Sequence, residues 1–175
     1  MIMKKVTFII VVVLAMLVSC GKSESTFDKE LREAFTQMEK TKLTSALVCS
    51  DVSSTWQKAI FDNRTPSGKY CSDFNDALKE LYEKYSNNGI TDSISKWNKK
   101  LQEMTSKLNE HPVSRNDCYN EFVEIVSEVS SFSRMATDPS GNLRSYNQQT
   151  NEAYGNISKK LDQFKIKYGE YLKDK

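Results

Sequence analysis

Residues 143–172, LRSYNQQTNEAYGNISKKLDQFKIKYGEYL, decide the fold class of this chain. Apolar and aromatic side chains recur there in steps of three and four, so they line one side of a single helix. Such a seam resembles that of a coiled coil. The stretch therefore predicts the last helix of a helical bundle. The seam consists of Leu143, Tyr146, Thr150, Ala153, Ile157, Leu161, Phe164, Tyr168 and Tyr171.

Apolar stripes with the same spacing precede this helix. They predict a first helix over 26–62, with Ser25 and Asp28 as its capping box, and a second helical segment over 74–108. Asn87-Asn88-Gly89 predicts a break within that second segment, because glycine readily adopts the left-handed conformation of a helix end. The upstream stripes are Phe27, Leu31, Phe35, Met38, Ala46, Cys49, Val52, Trp56 and Ile60; Phe74, Leu78, Leu81 and Tyr85; Ile94, Trp97, Leu101, Met104 and Leu108; and Cys118, Phe122, Ile125, Val129 and Phe132.

The three prolines, at 66, 112 and 139, all fall between these segments, and no alternating β-pattern competes with them. We therefore predict an all-α chain with one helical domain over 26–175. The helix lengths predict an elongated antiparallel bundle of three long, interrupted arms, in which the last two segments form one arm. A four-helix up-down bundle, with the chain reversing at Pro139, is the alternative arrangement.

The first twenty-one residues have a different character. Lys4 and Lys5 precede an apolar run over 6–18, which at roughly 20 Å is shorter than the ~30 Å core of a bilayer. The run is therefore interpreted as the core of a signal peptide. The segment Leu17-Val18-Ser19-Cys20, followed by Gly21, resembles the lipobox of bacterial lipoproteins.

This resemblance implies that residues 1–19 are removed and that Cys20 carries a diacylglyceryl group and an acyl chain such as palmitate. Residues 20–25 would then be the lipidated cysteine and a short tether to a membrane of the cell envelope. In some Gram-negative lipoproteins, an aspartate after the lipidated cysteine retains the protein in the inner membrane. Gly21 stands at that position here, so we expect the protein to be in the outer membrane, on either of its faces. The mature part resembles small, uncharacterised helical lipoproteins of Gram-negative bacteria, a resemblance that supplies no activity.

Charge and residue types argue against several functions. The chain has 25 basic and 23 acidic residues, and loss of Lys4 and Lys5 leaves a neutral mature domain, so we predict no nucleic-acid partner. His111 is the only histidine and cannot build a His-rich metal site. The carboxylates of Glu121, Glu124 and Glu128 share one helix face, which we interpret as solvated. We therefore predict no catalytic residue, no metal, no cofactor and no enzymatic activity.

Three thiols remain after lipidation of Cys20, at Cys49, Cys71 and Cys118. Their places along the predicted helices are too far apart for a disulfide, so we expect free thiols. Separately, Asp92-Ser93-Ile94 resembles an acceptor pattern for O-linked sugars, but the resemblance covers only these three residues.

The aromatic residues point to the predicted function. Exposed tyrosine and tryptophan rings are over-represented in protein interfaces, which makes a lipid-anchored interaction or structural module with an envelope protein partner our first hypothesis. It predicts an exposed aromatic patch. The alternative is a carrier or sensor of a small apolar ligand, which predicts an internal cavity near Cys49, Asn88 and Met135. The candidate rings are Trp56, Trp97, Tyr146, Tyr154, Tyr168 and Tyr171.

Overall fold

The structure is a computed structural model that describes residues 22–173. Within that range the chain forms five α-helices and a single turn of 3-10 helix at Val113–Arg115, without a β-strand. The all-α prediction is therefore confirmed. The helices are α1 (Glu24–Asp62), α2 (Phe74–Asn87), α3 (Ile90–Leu108), α4 (Asn116–Thr137) and α5 (Leu143–Tyr168).

Helix α1 is the longest element and sets the length of the molecule. Its 39 residues span about 58 Å at 1.5 Å per residue. The helix begins two residues earlier than predicted, and its cap is Ser23 rather than Ser25, because the Ser23 hydroxyl accepts a hydrogen bond from the Thr26 backbone N–H at 3.2 Å. We call the end of the bundle near Ser23 the base and the opposite end, where α1 finishes at Asp62, the tip.

Helices α2 and α3 run back along α1 from the tip to the base. Tyr85 of α2 donates a hydrogen bond to Asp51, and the Lys40 ammonium lies 4.0 Å from the ring of Trp97 on α3. The predicted break between the two helices is confirmed at Gly89, whose φ of 67° is left-handed. Glycine adopts this conformation without steric cost.

The last two helices form an antiparallel pair. Helix α4 rises from the base, and α5 returns to the base after the turn at 138–142. Two contacts fix this direction: Lys160 pairs with Glu128 at 2.5 Å, and the ring of Phe164 lies 5.9 Å from that of Phe122.

This pairing corrects the predicted topology. The antiparallel bundle is confirmed, but α4 and α5 do not continue one another as a third arm. The chain reverses beside Pro139, as in the four-helix alternative. Helices α1, α3, α4 and α5 surround the lower core, whereas α2 covers α1 towards the tip.

One continuous buried core runs along the bundle. Its largest fully buried side chains include four phenylalanines, one from α1, two from α4 and one from α5. Most of the predicted stripes lie in this core, with Ile60 as an exception at the tip. The four rings are Phe27, Phe122, Phe132 and Phe164.

Residues 1–21, with the predicted signal peptide, Cys20 and Gly21, lie outside the described range. No helix within 22–173 combines the length and the apolar character needed to span a bilayer.

Candidate functional site

The tip of the bundle carries the main exposed aromatic surface of the described residues. It is built from the last turn of α1, the connection 63–73 and the first turn of α2. Asn63 ends α1 in the left-handed conformation, with φ of 50°, and its backbone N–H donates to the carbonyl of Lys58. This cap turns the chain out of the helix axis and begins a small hairpin.

The hairpin has a well-defined hydrogen-bond pattern. The backbone N–H of Thr65 donates to the Lys69 carbonyl at 2.8 Å, and that of Gly68 donates to the Thr65 carbonyl at 2.9 Å. Gly68 has φ of 85°, as expected for the left-handed position that closes a three-residue hairpin. Asn63 accepts a further bond from the Cys71 N–H at 3.0 Å, so both ends of the loop are closed.

Glu80 of α2 fixes the hairpin to the helices. Its carboxylate accepts hydrogen bonds from the Ser67 backbone N–H at 2.7 Å and from the Ser67 hydroxyl at 3.1 Å. Desolvation opposes the charge of this group, but the hydrogen bonds from Thr65 and Ser67 outweigh it and lower the Glu80 pKa. The loop is therefore held by an ionised side chain across the physiological pH range.

Four large apolar side chains remain exposed on this fixed backbone. Phe61 is 70% exposed and Tyr70 is 74% exposed, and two further residues are exposed to a lesser degree. Soluble proteins usually expose such residues singly, so a group of four at one end of the molecule is unusual. We call Ile60, Phe61, Tyr70 and Phe74 the tip patch.

Buried side chains support the tip patch from below. The Trp56 ring is buried, with its centroid 5.4 Å from that of Phe74 and 5.7 Å from that of Tyr146. On another side of α1, Ala59, Cys71 and Ala77 form a separate small cluster beneath the hairpin. Well-packed buried side chains of α1, α2 and the connection therefore support the tip patch.

The tip patch differs from the aromatic surface predicted from the sequence. Of the six rings proposed there, only Tyr154 is exposed. Trp56, Tyr146 and Tyr168 are buried in the core. Trp97 and Tyr171 are half-buried beneath the cations of Lys40 and Arg115, respectively. The predicted set of exposed rings is therefore wrong except for Tyr154, and the other exposed aromatic side chains of the described residues are Phe61, Tyr70 and Phe74.

A second site, which is polar, lies about halfway along the bundle. Three tyrosines, from α2 and α5, donate hydrogen bonds there to α1 and α4. Tyr82 donates to the Ala136 carbonyl at 2.7 Å, and Tyr146 donates to the Met135 carbonyl at 3.1 Å. Tyr85 donates to the Asp51 carboxylate. Burial raises the pKa of all three phenols, so they stay protonated and act as donors.

These tyrosines occupy the region where the carrier hypothesis placed a cavity. Beside Cys49 there is a groove of about 320 Å³ between α1 and α5, open to solvent. Its walls mix apolar and polar side chains, and the buried Oδ1 of Asn147 has no hydrogen-bond partner there. This groove is open at the surface and differs from the internal apolar cavity that was predicted. The lining residues are Ala46, Cys49, Ser50, Ser53, Phe132, Asn147, Thr150, Asn151 and Tyr154.

His111 lies at the base in a structural setting. Its Nδ1 is 3.1 Å from the Leu108 carbonyl and its Nε2 is 3.2 Å from Oδ1 of Asn116. The ring also stacks on Tyr119, with 4.4 Å between the centroids. These contacts place His111 at the end of α3, where it caps the helix.

Two of the three carboxylates that share a face of α4 form ion pairs with α5. Glu121 pairs with Lys167 and Glu128 with Lys160, on surfaces that water reaches. Across residues 22–173, no three His, Cys, Asp or Glu side chains are grouped so that they could hold a metal ion.

The three cysteines of the described range, Cys49, Cys71 and Cys118, are free and buried. Burial raises the pKa of the Cys49 thiol and raises that of Cys118 to about 12, so neither is an activated thiolate. Ser93 donates its hydroxyl to the Gly89 carbonyl at 2.6 Å in the first turn of α3, and its glycosylation stays a prediction.

Comparison with known proteins adds no relative. No protein-family model matches the chain, and no curated protein and no solved structure matches it.

Proposed function

We propose that this chain is a lipid-anchored envelope protein that acts as a non-catalytic interaction module. Lipid on Cys20 holds the base at a membrane, and the tip patch binds a protein partner. The observation that carries the proposal is the exposure of Phe61 and Tyr70, at 70% and 74%, on a backbone that Glu80 holds in place.

The chemistry of the tip patch suits a protein surface. Aromatic side chains are enriched among the residues that dominate binding energy in interfaces. A side chain on a fixed backbone loses less conformational entropy on binding than one on a mobile loop. The Glu80–Ser67 hydrogen bonds therefore favour affinity as well as local order.

The predicted anchor precedes the first turn of α1 in the sequence, and the tip patch lies at the last turn of that helix. Helix α1 begins four residues after Cys20 and ends beside Phe61. Its length of about 58 Å exceeds the thickness of the lipid headgroup layer several times over. An upright bundle would thus present the patch well beyond the membrane surface, where envelope proteins are accessible.

The test is cross-linking in intact cells followed by purification of the tagged, full-length chain. We compare the natural chain with a Phe61→Ser/Tyr70→Ser variant, which removes two exposed rings and leaves the core unchanged. Leu43→Ser/Leu47→Ser is the matched control, since both leucines are exposed on α1 away from the tip. We expect one envelope protein to be captured by the natural chain and the control, and to be lost with the tip variant.

A Cys20→Ala chain tests the anchor in the same experiment. We expect it to lose both the lipid mass and the captured protein. Equal capture by the tip variant and the control would rule out the tip patch as the binding surface. Absence of lipid on Cys20 in the natural chain, measured by mass spectrometry, would rule out the anchor.

A further inference from the structure

The base of the bundle, the end at which Lys22 lies, exposes an apolar side chain. Val113, in the 3-10 turn between α3 and α4, is 93% exposed. Its neighbours Pro112 and Ser114 carry no charge. A fully exposed valine at the apex of a connection is unfavourable in water and favourable in a less polar medium.

The backbone that carries Val113 is fixed to α1. The buried Arg115 guanidinium donates to the Asp28 carboxylate at 3.0 Å from Nε and at 3.3 Å from Nη2. The Ser114 hydroxyl donates to Glu24 at 2.6 Å. The two residues that follow the valine are therefore fixed to α1, and Val113 is left exposed beside them.

The same end of the molecule receives the chain from Cys20. Lys22 pairs with Glu30 at 2.6 Å and also donates to the carbonyl of Lys107, near the end of α3. Cys20 precedes Lys22 by two residues, so their α-carbons are at most about 7.6 Å apart. A lipid on Cys20 would thus bring the base, with the connection that follows Lys107, against the bilayer surface.

We propose that the α3–α4 connection contacts the bilayer directly and that the Val113 side chain enters the boundary between headgroups and acyl chains. This inference rests on the proposed anchor at Cys20 and deepens it. The contact makes the base a second attachment point beside the lipid. Two attachment points at the base restrict how the bundle can tilt, and they favour an upright orientation with the tip patch away from the membrane.

A competing orientation is available on α5. Ile166 is 86% exposed between Lys165 and Lys167, on the side of α5 that faces away from the core. Lipid contact there would lay the bundle along the membrane instead. The two orientations place different residues in the bilayer, so one experiment separates them.

The experiment uses the full, lipidated chain in vesicles of phosphatidylethanolamine and phosphatidylglycerol. A nitrobenzoxadiazole dye, whose emission shifts to the blue in apolar surroundings, is attached to Val113→Cys, Ile166→Cys or Tyr70→Cys. The natural thiols are buried, and the unsubstituted chain, treated with the dye in parallel, measures any labelling of these thiols. We expect a blue shift and quenching by spin-labelled lipid at 113, and neither effect at 70 or at 166.

Three results would overturn the inference. With lipid on Cys20 shown by mass spectrometry, equal emission at 113 and 70 would place Val113 in water and leave the anchor intact. Quenching at 166 without quenching at 113 would show the bundle lying on α5. A natural chain without lipid on Cys20 would remove the proposed anchor, and the bilayer contact with it.

Discussion

The phenol oxygen of Tyr82, on α2, lies 2.7 Å from the carbonyl oxygen of Ala136 in the last turn of α4. Carbonyls in the last turn of a helix have no donor within the helix. Tyr146 of α5 serves the neighbouring Met135 carbonyl in the same way, at 3.1 Å. Two tyrosines from different helices therefore cap the C-terminal end of α4, where the chain reverses towards α5.

Removal of the Tyr82 hydroxyl tests how much this capping contributes to the free energy of unfolding. We expect Tyr82→Phe to lower the free energy of unfolding by about 1 kcal/mol, because a partly buried carbonyl loses its donor. Urea unfolding followed by circular dichroism measures the change. Tyr154→Phe is the control, since the Tyr154 side chain is exposed, and we expect no change there. Equal losses in the two variants would contradict a capping role for Tyr82.

Alkaline pH should destabilise the bundle. Burial raises the Cys118 pKa to about 12, whereas the thiol of the unfolded chain ionises near its ordinary value of about 9. Between these values the folded chain binds more protons than the unfolded chain, so the free energy of unfolding falls as the pH rises. The slope is about 1.4 kcal/mol per pH unit for each such proton. Above about pH 10, Tyr82 and Tyr146 add to it, because burial also raises their pKa values.

Urea unfolding at several values from about pH 7 to about pH 11 measures this dependence. We expect a plateau up to about pH 8.5, followed by a fall. Cys118→Val removes the thiol and keeps an apolar side chain, and it should reduce the slope that begins near about pH 9. A free energy of unfolding that stays constant through this range would contradict the burial of these groups.

The sequence predicted the core of this bundle better than its two ends. The stripe from Phe27 to Trp56 is almost entirely buried because helical periodicity alone decides which side of α1 faces the other helices. Ile60 continues the same stripe and is nevertheless exposed. Helix α1 ends beyond the helices that cover it, and periodicity does not report where the neighbouring helices stop. Tyr70 was missed for a related reason, since it lies in a connection with no helical period.

The sequence pattern also could not predict that the chain reverses direction at Pro139. A turn of this composition ends a helix whether the next helix continues or returns. The direction depends on contacts between distant residues, such as those of Tyr146 with Met135 and of Lys160 with Glu128. The apolar spacing of α4 and α5 is the same in both arrangements.

The buried ion pair at the base should be the most sensitive polar site of the described chain. Arg115 is 9% exposed and Asp28 is 1% exposed, and Arg115 also lies over the ring of Tyr171 at 3.9 Å. Asp28→Asn leaves the guanidinium charge buried without its main partner. We expect a loss of about 3–5 kcal/mol in the free energy of unfolding.

Glu39→Gln is the matched control for this substitution. Glu39 pairs with Lys165 at 2.6 Å on a surface that water reaches, so its loss should cost less than about 1 kcal/mol. Thermal unfolding of both variants under the same conditions measures the difference. Similar melting temperatures for the two variants would show that water screens the Arg115 pair as well.

The three buried thiols should report local opening at different rates. In the native chain we expect iodoacetamide to modify Cys71 first, because Cys71 lies in the connection at the tip, which can open without the rest of the bundle. Cys49 and Cys118 lie in the main core, and burial raises both pKa values, so little thiolate is present at neutral pH. Glu80→Gln weakens the attachment of the hairpin and should accelerate modification of Cys71 alone. Mass spectrometry of peptides measures each rate. Equal acceleration at all three positions would mean that Cys71 becomes accessible only when the whole bundle unfolds.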